Sequence, residues 1–377
     1  MRLAVAAITA TVLVAAGPGF PAPRIDEGRI TPSVVCGTCH RDIYEMWRSS
    51  AHARAMEGVV FVEAYREIEA ESAATSRLCL GCHAPLTEVS PDPFLARQAT
   101  WDGVSCDACH SLTSVELATG GAHQTFDPGA VKRGPIKDAV SMGHETAYSE
   151  LHTTALVCAG CHEFRNAEGT PIITTYSEWQ ESAAHRNDRP CQACHMALTR
   201  ADVVDPKVKR TPNRVNVHEM PGGHSFTQLS KALGVAIDAV WPGDGLALTV
   251  RVTNKGGGHA VPTGMPGRRV ILGVVVRASD GQSFTAERVY SRTFLDAEGR
   301  PITRDGPVFG PGVRLASDTR LRPDEERAEK FSFPVAAGAE ARVAVRLSYE
   351  HAPTGGRENR TWLTFYSAER TYHADAH

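Results

Sequence analysis

Five copies of the pattern Cys-x-x-Cys-His contain every cysteine of this 377-residue chain. They read Cys36-Gly-Thr-Cys39-His40, Cys79-Leu-Gly-Cys82-His83, Cys106-Asp-Ala-Cys109-His110, Cys158-Ala-Gly-Cys161-His162 and Cys191-Gln-Ala-Cys194-His195. This spacing is typical of sites where two thiols hold a haem covalently and the adjacent histidine binds its iron. The sequence therefore predicts five covalently bound haem c groups, each with one iron ligand from its own motif.

Zinc sites, and disulfides or redox-active cysteine pairs, are the alternative interpretations of these cysteines. A zinc ribbon uses Cys-x-x-Cys motifs in pairs, which would leave one of the five motifs without a partner. Neither alternative requires a histidine at the same next position in every motif. Haem attachment is the interpretation that accounts for all five.

The composition is that of a soluble globular protein, with 22% charged and 42% hydrophobic residues. A formal net charge of −3 gives no electrostatic support for binding nucleic acid. Each haem adds two propionates, so a basic redox protein is the expected kind of partner. Candidates for the donor or acceptor include a membrane-associated quinol-oxidising or terminal reductase complex, and a homo-oligomer is compatible with the composition.

Residues 1–22 have the features of a secretory signal peptide. Arg2 precedes an almost wholly apolar run, and Ala15-Ala16-Gly17 offers small residues for cleavage. An uncleaved membrane anchor is the alternative, but the run is shorter than the roughly 20 residues of a membrane span and ends at Pro18 and Pro21. Haem attachment to such motifs also takes place outside the cytoplasm, so we expect an exported protein, periplasmic or extracellular.

Residues 25–232 are expected to form a pentahaem cytochrome c domain of short helices and loops wrapped around the haems. This part holds all ten cysteines and shows little continuous hydrophobic periodicity. Such sparse patterning is expected when side chains pack on apolar porphyrins, and the domain should not fold without them. Short helical stretches are predicted over Asp42–Met56, Phe61–Glu71, Ser149–Val157 and Ser177–His185.

Residues 233–377 are expected to form an all-β sandwich of immunoglobulin type, without the disulfide of antibody domains. Apolar residues alternate with polar ones along several segments, as in half-buried strands. They are Leu246, Leu248, Val250 and Val252; Phe331, Phe333 and Val335; and Val343, Val345, Leu347 and Tyr349. Val270–Val276 is almost continuously apolar, which predicts a central strand, and Asp280-Gly281 and Glu298-Gly299 are turn signals.

The second axial ligand of each iron decides between electron transfer and catalysis, because an iron with two histidines has no vacant site. Eleven histidines lie outside the motifs: His52, His123, His144, His152, His185, His218, His224, His259, His351, His373 and His377. Position along the chain favours His52, His144, His152 and, among the pair after the last motif, His218 over His224. For each, a surface histidine is the alternative.

His259 lies in the run Asn254-Lys-Gly-Gly-Gly-His259, between two predicted strands. Glycines let a backbone approach a bulky partner closely, so this loop could bring a ligand to a haem. An ordinary hairpin tip is the alternative. His185 ends a partial repeat of the segment Tyr44–His52, but one residue later, which rotates it by about 100° on a helix. His351 is expected in a polar loop near the end of the chain.

Several segments resemble known multihaem cytochromes. Cys36–His52 resembles relatives of the tetrahaem cytochrome that accepts electrons from hydroxylamine oxidoreductase, and Gly103–His110 and Glu178–Met196 are similar to recurring segments of that group. Gly258–Gly264 resembles a segment of multihaem cytochromes with a C-terminal β domain. The resemblance covers about residues 32–277 and implies a set of distal iron ligands. That set is His52, His144, His152, His218 and His259.

We therefore interpret the chain as an exported pentahaem c-type cytochrome that relays electrons between redox partners through haems with two histidine ligands. One alternative is an oxidoreductase with one open haem that acts on a small nitrogen or sulfur oxyanion, with His123, His185 or His224 as acid or base. No motif replaces its histidine by lysine, so no motif is marked as an active site. A subunit of an extracellular cytochrome filament is the third interpretation.

Overall fold

The computed structural model describes residues 30–204, 214–243, 245–352 and 360–373, so the predicted signal peptide lies outside the described residues. Residues 30–204 and 214–232 form short helices joined by loops and short strands. The α-helices are α1 Ser33–Gly37, α2 Arg41–Arg48, α3 Val59–Glu71, α4 Ala73–His83, α5 Gln98–Trp101, α6 Cys106–His110, α7 Leu156–His162, α8 Thr175–Gln180, α9 Ala183–Arg186, α10 Cys191–His195 and α11 Phe226–Ala232. Within the ranges given above, no helix is long and apolar enough to cross a membrane.

Short strand pairs and single 3₁₀ turns connect these helices. The strands are β1 Leu112–Glu116, β2 His123–Phe126, β3 Val131–Gly134, β4 Glu145–Tyr148, β5 Glu163–Arg165, β6 Pro171–Thr174, β7 Leu198–Arg200 and β8 Arg214–Asn216. β1–β2, β5–β6 and β7–β8 are antiparallel pairs, and β3–β4 is parallel. The 3₁₀ turns are Pro85–Glu88, Glu150–Thr153 and, in the C-terminal part, Gly306–Phe309.

The C-terminal part is built of antiparallel sheets. Its strands are β9 Leu233–Val240, β10 Leu246–Asn254, β11 Arg268–Ala278, β12 Ser283–Tyr290, β13 Arg292–Leu295, β14 Pro301–Ile302, β15 Arg314–Asp318, β16 Glu326–Phe333, β17 Glu340–His351 and β18 Thr361–His373. One sheet has the order β16-β10-β9, a second has the order β12-β11-β17-β18, and a small third sheet has the order β14-β13-β15. β11 is thus an interior strand, as its continuous apolar run predicts.

The two larger sheets enclose one hydrophobic core, which confirms the predicted sandwich. Along β10 the side chains of Leu246, Leu248, Val250 and Val252 are at most 1% exposed, and the residues between them are only partly buried. Each such side chain contributes about 1.5–3 kcal/mol by burial. The alternating residues of β17 face the same core. The period of two therefore directs one face of each strand inward.

The helical part has only small apolar clusters among its described residues. One comprises Leu86, Ala108, Leu112, Val115 and Phe126, and another comprises Met56, Tyr65, Leu80 and Ala84. A third is shared with the small sheet, because Phe164 and Ile172 pack against Phe294, Val308 and Val313. The helical and β parts are therefore joined by a common apolar contact as well as by the chain.

Three predicted helices differ from the observed ones. α2 ends at Arg48, and turns continue to Glu57, where a helix to Met56 was expected. The stretch Ser149–Val157 divides into a 3₁₀ turn and the start of α7. In Ser177–His185, Ser182 caps a new helix by accepting a hydrogen bond from the His185 N–H, which separates α8 from α9. The stretch Phe61–Glu71 lies within α3 as predicted.

Candidate haem sites

Each motif lies on a helical turn, which places its two cysteines and its histidine on one face. α4, α6, α7 and α10 each end at the histidine of their motif. In the first motif the His40 N–H donates to the Cys36 carbonyl at 2.9 Å, which is the same helical bond. The sequence spacing is therefore converted into a common orientation of two thiols and one imidazole in all five motifs.

Four motif histidines have the same side-chain tautomer imposed by the backbone. In each, Nδ1 lies within hydrogen-bonding distance of a carbonyl oxygen, so Nδ1–H donates and Nε2 keeps its lone pair for a metal. The pairs are His40 with Val203 (2.6 Å), His83 with Ala55 (2.7 Å), His110 with Arg133 (2.6 Å) and His195 with Pro221 (2.7 Å). This arrangement fits histidines that bind iron through Nε2.

Four motif histidines also have a second imidazole at a nearly constant distance. The ring centroids are 6.1 Å apart for His40 and His144, 6.2 Å for His162 and His52, 5.9 Å for His110 and His152, and 6.3 Å for His195 and His259. Bonds from imidazole nitrogen to a metal are about 2 Å long, so two opposed ligands of one iron hold their ring centres about 6 Å apart. The spacing fits a haem iron between each pair.

The hydrogen bonds of these second histidines also suit metal binding. Nδ1 of His144 and of His259 each lies by a backbone carbonyl, at 2.8 and 2.9 Å. His152 differs, because its Nε2 meets the Cys109 carbonyl at 2.8 Å while its buried Nδ1 has no partner within the described structure. Buried polar atoms normally have a partner, and an iron bound to the lone pair of His152 Nδ1 would supply the missing one.

Burial keeps most of these imidazoles neutral, which is the form that binds a metal. It lowers the pKa of His110 to about 4 and the pKa of His162 to about 3. It also lowers the pKa of five further histidines, namely His52, His83, His152, His218 and His259. The donor set is therefore ready for a metal near neutral pH.

His83 and His218 do not form a fifth pair of this kind. The His83 ring stacks on Phe61 of α3, with centroids 4.0 Å apart and planes 14° apart. Burial and the nearby His40 lower the pKa of His218, and His218 contributes to the lowered pKa of His110, so His218 lies near the first and third motifs. Of the five predicted distal histidines, the structure brings four to motif histidines and leaves His218 without a ring pairing in the described ranges.

The remaining histidines occupy other environments. His185 is exposed and contacts Trp179 at 4.5 Å, whereas His52, its counterpart in the partial repeat, faces His162. His351 ends β17, is 7% exposed and pairs with Asp305 at 2.9 Å, so its expected place in a polar loop is wrong. His224 lies 5.7 Å from His351. His123 is exposed at the start of β2, His373 ends β18, and His377 lies outside the described residues.

Cysteines of different motifs contact one another. Hydrogen bonds link Cys36 with Cys106, Cys82 with Cys161, and Cys158 with Cys191; they raise the pKa of the first thiol of each pair and lower that of the second. The third and fourth motifs are also neighbours. Cys109 of the third lies near Cys161 of the fourth, and burial together with this thiol raises the pKa of Cys109 to about 11. All five motifs thus lie in one connected group.

The structure gives the alternative interpretations of the cysteines no support. All ten thiols are free, so none is in a disulfide. Throughout the described part of the chain, no three or more His, Cys, Asp or Glu side chains are grouped so that they could hold a metal ion directly. Histidine pairs beside thiol pairs are the arrangement present.

Two polar residues at the His259 loop were not found from the sequence. Asn254 is fully buried, and its Nδ2 donates to the His259 carbonyl at 2.8 Å. Glu178 of α8 accepts hydrogen bonds from the Ala260 N–H and the Thr263 hydroxyl, at 3.1 and 2.8 Å. Both residues stand in the quoted segments, but nothing in periodicity or spacing assigns a side-chain role to Asn254, or to Glu178 a partner more than eighty positions away.

Comparison with known proteins agrees with this geometry. Residues 35–111, which include the first three motifs, match the family model described as cytochrome c554 and c-prime. Cytochrome c-554 of Nitrosomonas europaea is 29% identical over 153 residues, which are 36% of this chain and 57% of that protein. The chain therefore spans little more than half the length of this relative.

The whole fold has a counterpart among solved structures. The pentahaem cytochrome c552 of Thermochromatium tepidum matches with a TM-score of 0.73 and 22% identity, over 91% of this chain and 99% of that one. The family match supports covalently bound haem c, and it covers the first three of the five motifs. The predicted resemblance is confirmed: the chain is similar to the cytochrome c554 group and has a multihaem cytochrome fold with C-terminal antiparallel sheets.

Proposed function

We propose that this protein is an exported pentahaem c-type cytochrome that relays single electrons between redox proteins. Haem iron supplies the chemistry by alternating between its ferric and ferrous states. The chain's residues bind each haem through two thioethers, orient it with a motif histidine and close its second face with another histidine. The residues proposed for the second face are His52, His144, His152, His218 and His259.

The connected group of motifs is the observation that carries this proposal. Each cysteine sulfur is the point where the chain joins the edge of a porphyrin, so contacting cysteines of two motifs bring two porphyrin edges together. The first motif contacts the third, and the fourth contacts both the second and the fifth. With the third and fourth also adjacent, the order first–third–fourth–fifth forms a continuous path, and the second motif branches from the fourth.

The paired histidines suit a relay rather than a reaction at iron. Two imidazoles at each of four motifs would leave no coordination position for a substrate on an iron bound between them. The tautomer of four motif histidines is fixed by backbone carbonyls, so these side chains would rearrange little when a bound iron changes its charge. An acidic net charge, increased by the haem propionates, favours basic donor and acceptor proteins.

One observation favours an oxidoreductase as the second candidate. His83 faces Phe61 and, within the described ranges, has no imidazole at the spacing of the other four pairs. An iron on His83 without a histidine on its other face would be open to a small ligand. Small nitrogen or sulfur oxyanions remain the class of substrate that this candidate would accept.

Electron paramagnetic resonance of the oxidised, haem-loaded protein distinguishes the two candidates. A relay with five histidine pairs gives low-spin signals only, whereas an open iron at His83 gives one high-spin signal per chain. The pyridine haemochrome assay should give five haems per chain, because five motifs are intact. A value of four or fewer, or stoichiometric zinc, would contradict the proposed cofactor content.

The ligand role of His259 is tested by His259→Gly. One iron in five should become high-spin, and added imidazole should restore the low-spin spectrum. His123→Gly is the matched control, because His123 is exposed on β2. A His259→Gly spectrum identical to that of the unaltered protein would remove His259 from the proposed ligands.

A further inference from the structure

The peptide bond between His259 and Ala260 is held from two sides by side chains, one buried and one partly buried. Its carbonyl accepts a hydrogen bond from Asn254 Nδ2 at 2.8 Å, and its N–H donates to Glu178 Oε2 at 3.1 Å. Asn254 ends β10 in the β part, whereas Glu178 lies on α8 in the helical part. Each part of the molecule therefore fixes one edge of the same peptide plane.

Glu178 is fully engaged in holding this loop. Its Oε2 also accepts the Thr263 hydroxyl at 2.8 Å, and its Oε1 accepts the Thr174 hydroxyl at 2.5 Å and pairs with Arg320 at 2.7 Å. Arg320 is 7% exposed and itself donates to the Pro262 carbonyl at 3.3 Å. Glu178 and Arg320 thus contact the loop at three residues after His259, namely Ala260, Pro262 and Thr263.

A carboxylate is suited to this position because it accepts several hydrogen bonds at once and carries the charge that Arg320 requires. A buried carboxylate is costly unless it is paired and hydrogen-bonded, and Glu178 meets both conditions. Glutamine at the same place would accept fewer bonds and would turn an amide N–H toward Arg320 or the Ala260 N–H.

The loop needs support from the helical part because His259, the proposed iron ligand, faces His195 of that part. The His259 ring lies 6.3 Å from the ring of His195, with the planes only 12° apart. The residues between Asn254 and His259 are three glycines and a lysine, which constrain the loop little by themselves. A support on α8 fixes the loop relative to α10, because both helices belong to the helical part.

We propose that Glu178 is a positioning residue that holds His259 facing His195, where His259 would bind the iron of the fifth haem. It would act through the Ala260 N–H and the Thr263 hydroxyl and not as an iron ligand. This inference rests on the proposed ligand role of His259. It adds that the position of His259 depends on Glu178, which lies thirteen residues before the fifth motif.

Glu178→Gln in the full-length, haem-loaded protein tests the inference. We expect five haems by pyridine haemochrome, loss of low-spin signal from one iron in five, and binding of added imidazole that restores that signal. The unaltered protein should bind no imidazole at this iron. Restoration by imidazole separates a displaced ligand from general damage to the fold, which imidazole would not repair.

Two control variants isolate the loop contact. Glu181→Gln removes an exposed carboxylate just after α8, and Asp318→Asn removes the other carboxylate on Arg320 without touching the loop. Both should keep all five irons low-spin. Glu178→Asp, which retains the charge on a shorter side chain, should lose less low-spin signal than Glu178→Gln.

The outcomes separate this inference from the proposed function. If His259→Gly opens one iron while Glu178→Gln leaves five low-spin irons that bind no imidazole, the positioning role is wrong and the ligand role stands. If His259→Gly is silent, the ligand role itself fails. Should Glu178→Gln not accumulate with five haems, Thr263→Val removes one of the same contacts, together with a hydroxyl contact to Thr175, and keeps the Glu178–Arg320 ion pair. Thr263→Val should then allow imidazole binding, and its absence would overturn the inference.

Discussion

The helical and β parts of this molecule reach stability by different routes. Among the described residues, the largest core of the β part joins 25 buried side chains, whereas the two clusters confined to the helical part have five and four. The helical part instead directs thiols and imidazoles inward, where porphyrins would supply the missing apolar surface. A sequence with little hydrophobic periodicity can therefore specify a defined fold, provided that a cofactor contributes the core.

The strongest test of this difference is to prevent haem attachment. Replacing all ten motif cysteines by alanine should leave the helical part unfolded and the β sandwich folded. Hydrogen exchange followed by mass spectrometry should then show rapid exchange in α3, α4 and α7 and continued protection in β11 and β17. Protected helices in the haem-free chain would mean that the small clusters are sufficient and that the contrast between the parts is wrong.

A core substitution in the sandwich should have the opposite selectivity. Leu272 on β11 is fully buried, so Leu272→Ala should lower the free energy of unfolding of the β part by about 2–5 kcal/mol. The haem absorption spectrum of the folded protein should not change. Denaturant titration with Val240→Ala, at a position 60% exposed, provides the control. If the haem absorption changed at the same denaturant concentration as that at which the β part unfolds, the two parts would unfold as one unit.

The smallest expected effect is a change in the pH dependence of stability. Burial, Arg268 and His351 lower the pKa of His224 from 6.5 to about 4 in the folded protein. The unfolded chain therefore binds more protons between these values, and stability decreases as the pH falls from about 6.5 to 4. His224→Gln should reduce the slope of Tm against pH in this window. Histidines bound to iron do not titrate there, so an unchanged slope would contradict the lowered pKa.

The sequence predicts the β part better than the helical part because only the β part carries its core in its own side chains. The alternation Leu246–Val252 directly predicts the buried face of β10. No such signal exists for the break at Ser182, which depends on one capping hydrogen bond. His351 was misplaced because its partner Asp305 is 46 positions away and leaves no trace in the local pattern.

The haem motifs themselves are fully visible in the sequence, but the partners of their histidines are not. His52 and His259 were proposed from position and resemblance, and the structure sets them beside His162 and His195. His218 was proposed on the same grounds and has no ring pairing in the described part of the chain. The sequence does not single out Glu178, because one of its contacts is with the backbone N–H of Ala260 in a distant loop. Every residue except proline has a backbone N–H, so the sequence pattern does not reveal such a contact.

The contacts between thiols of different motifs have a consequence for how this protein is made. Cys36 lies against Cys106, Cys82 against Cys161 and Cys158 against Cys191, so these thiols could react with one another wherever two motifs meet before haem is attached. In an oxidising compartment such pairs would join as disulfides between motifs and would block haem attachment. Attachment of haem to each motif before the neighbouring motifs meet would avoid this competing reaction.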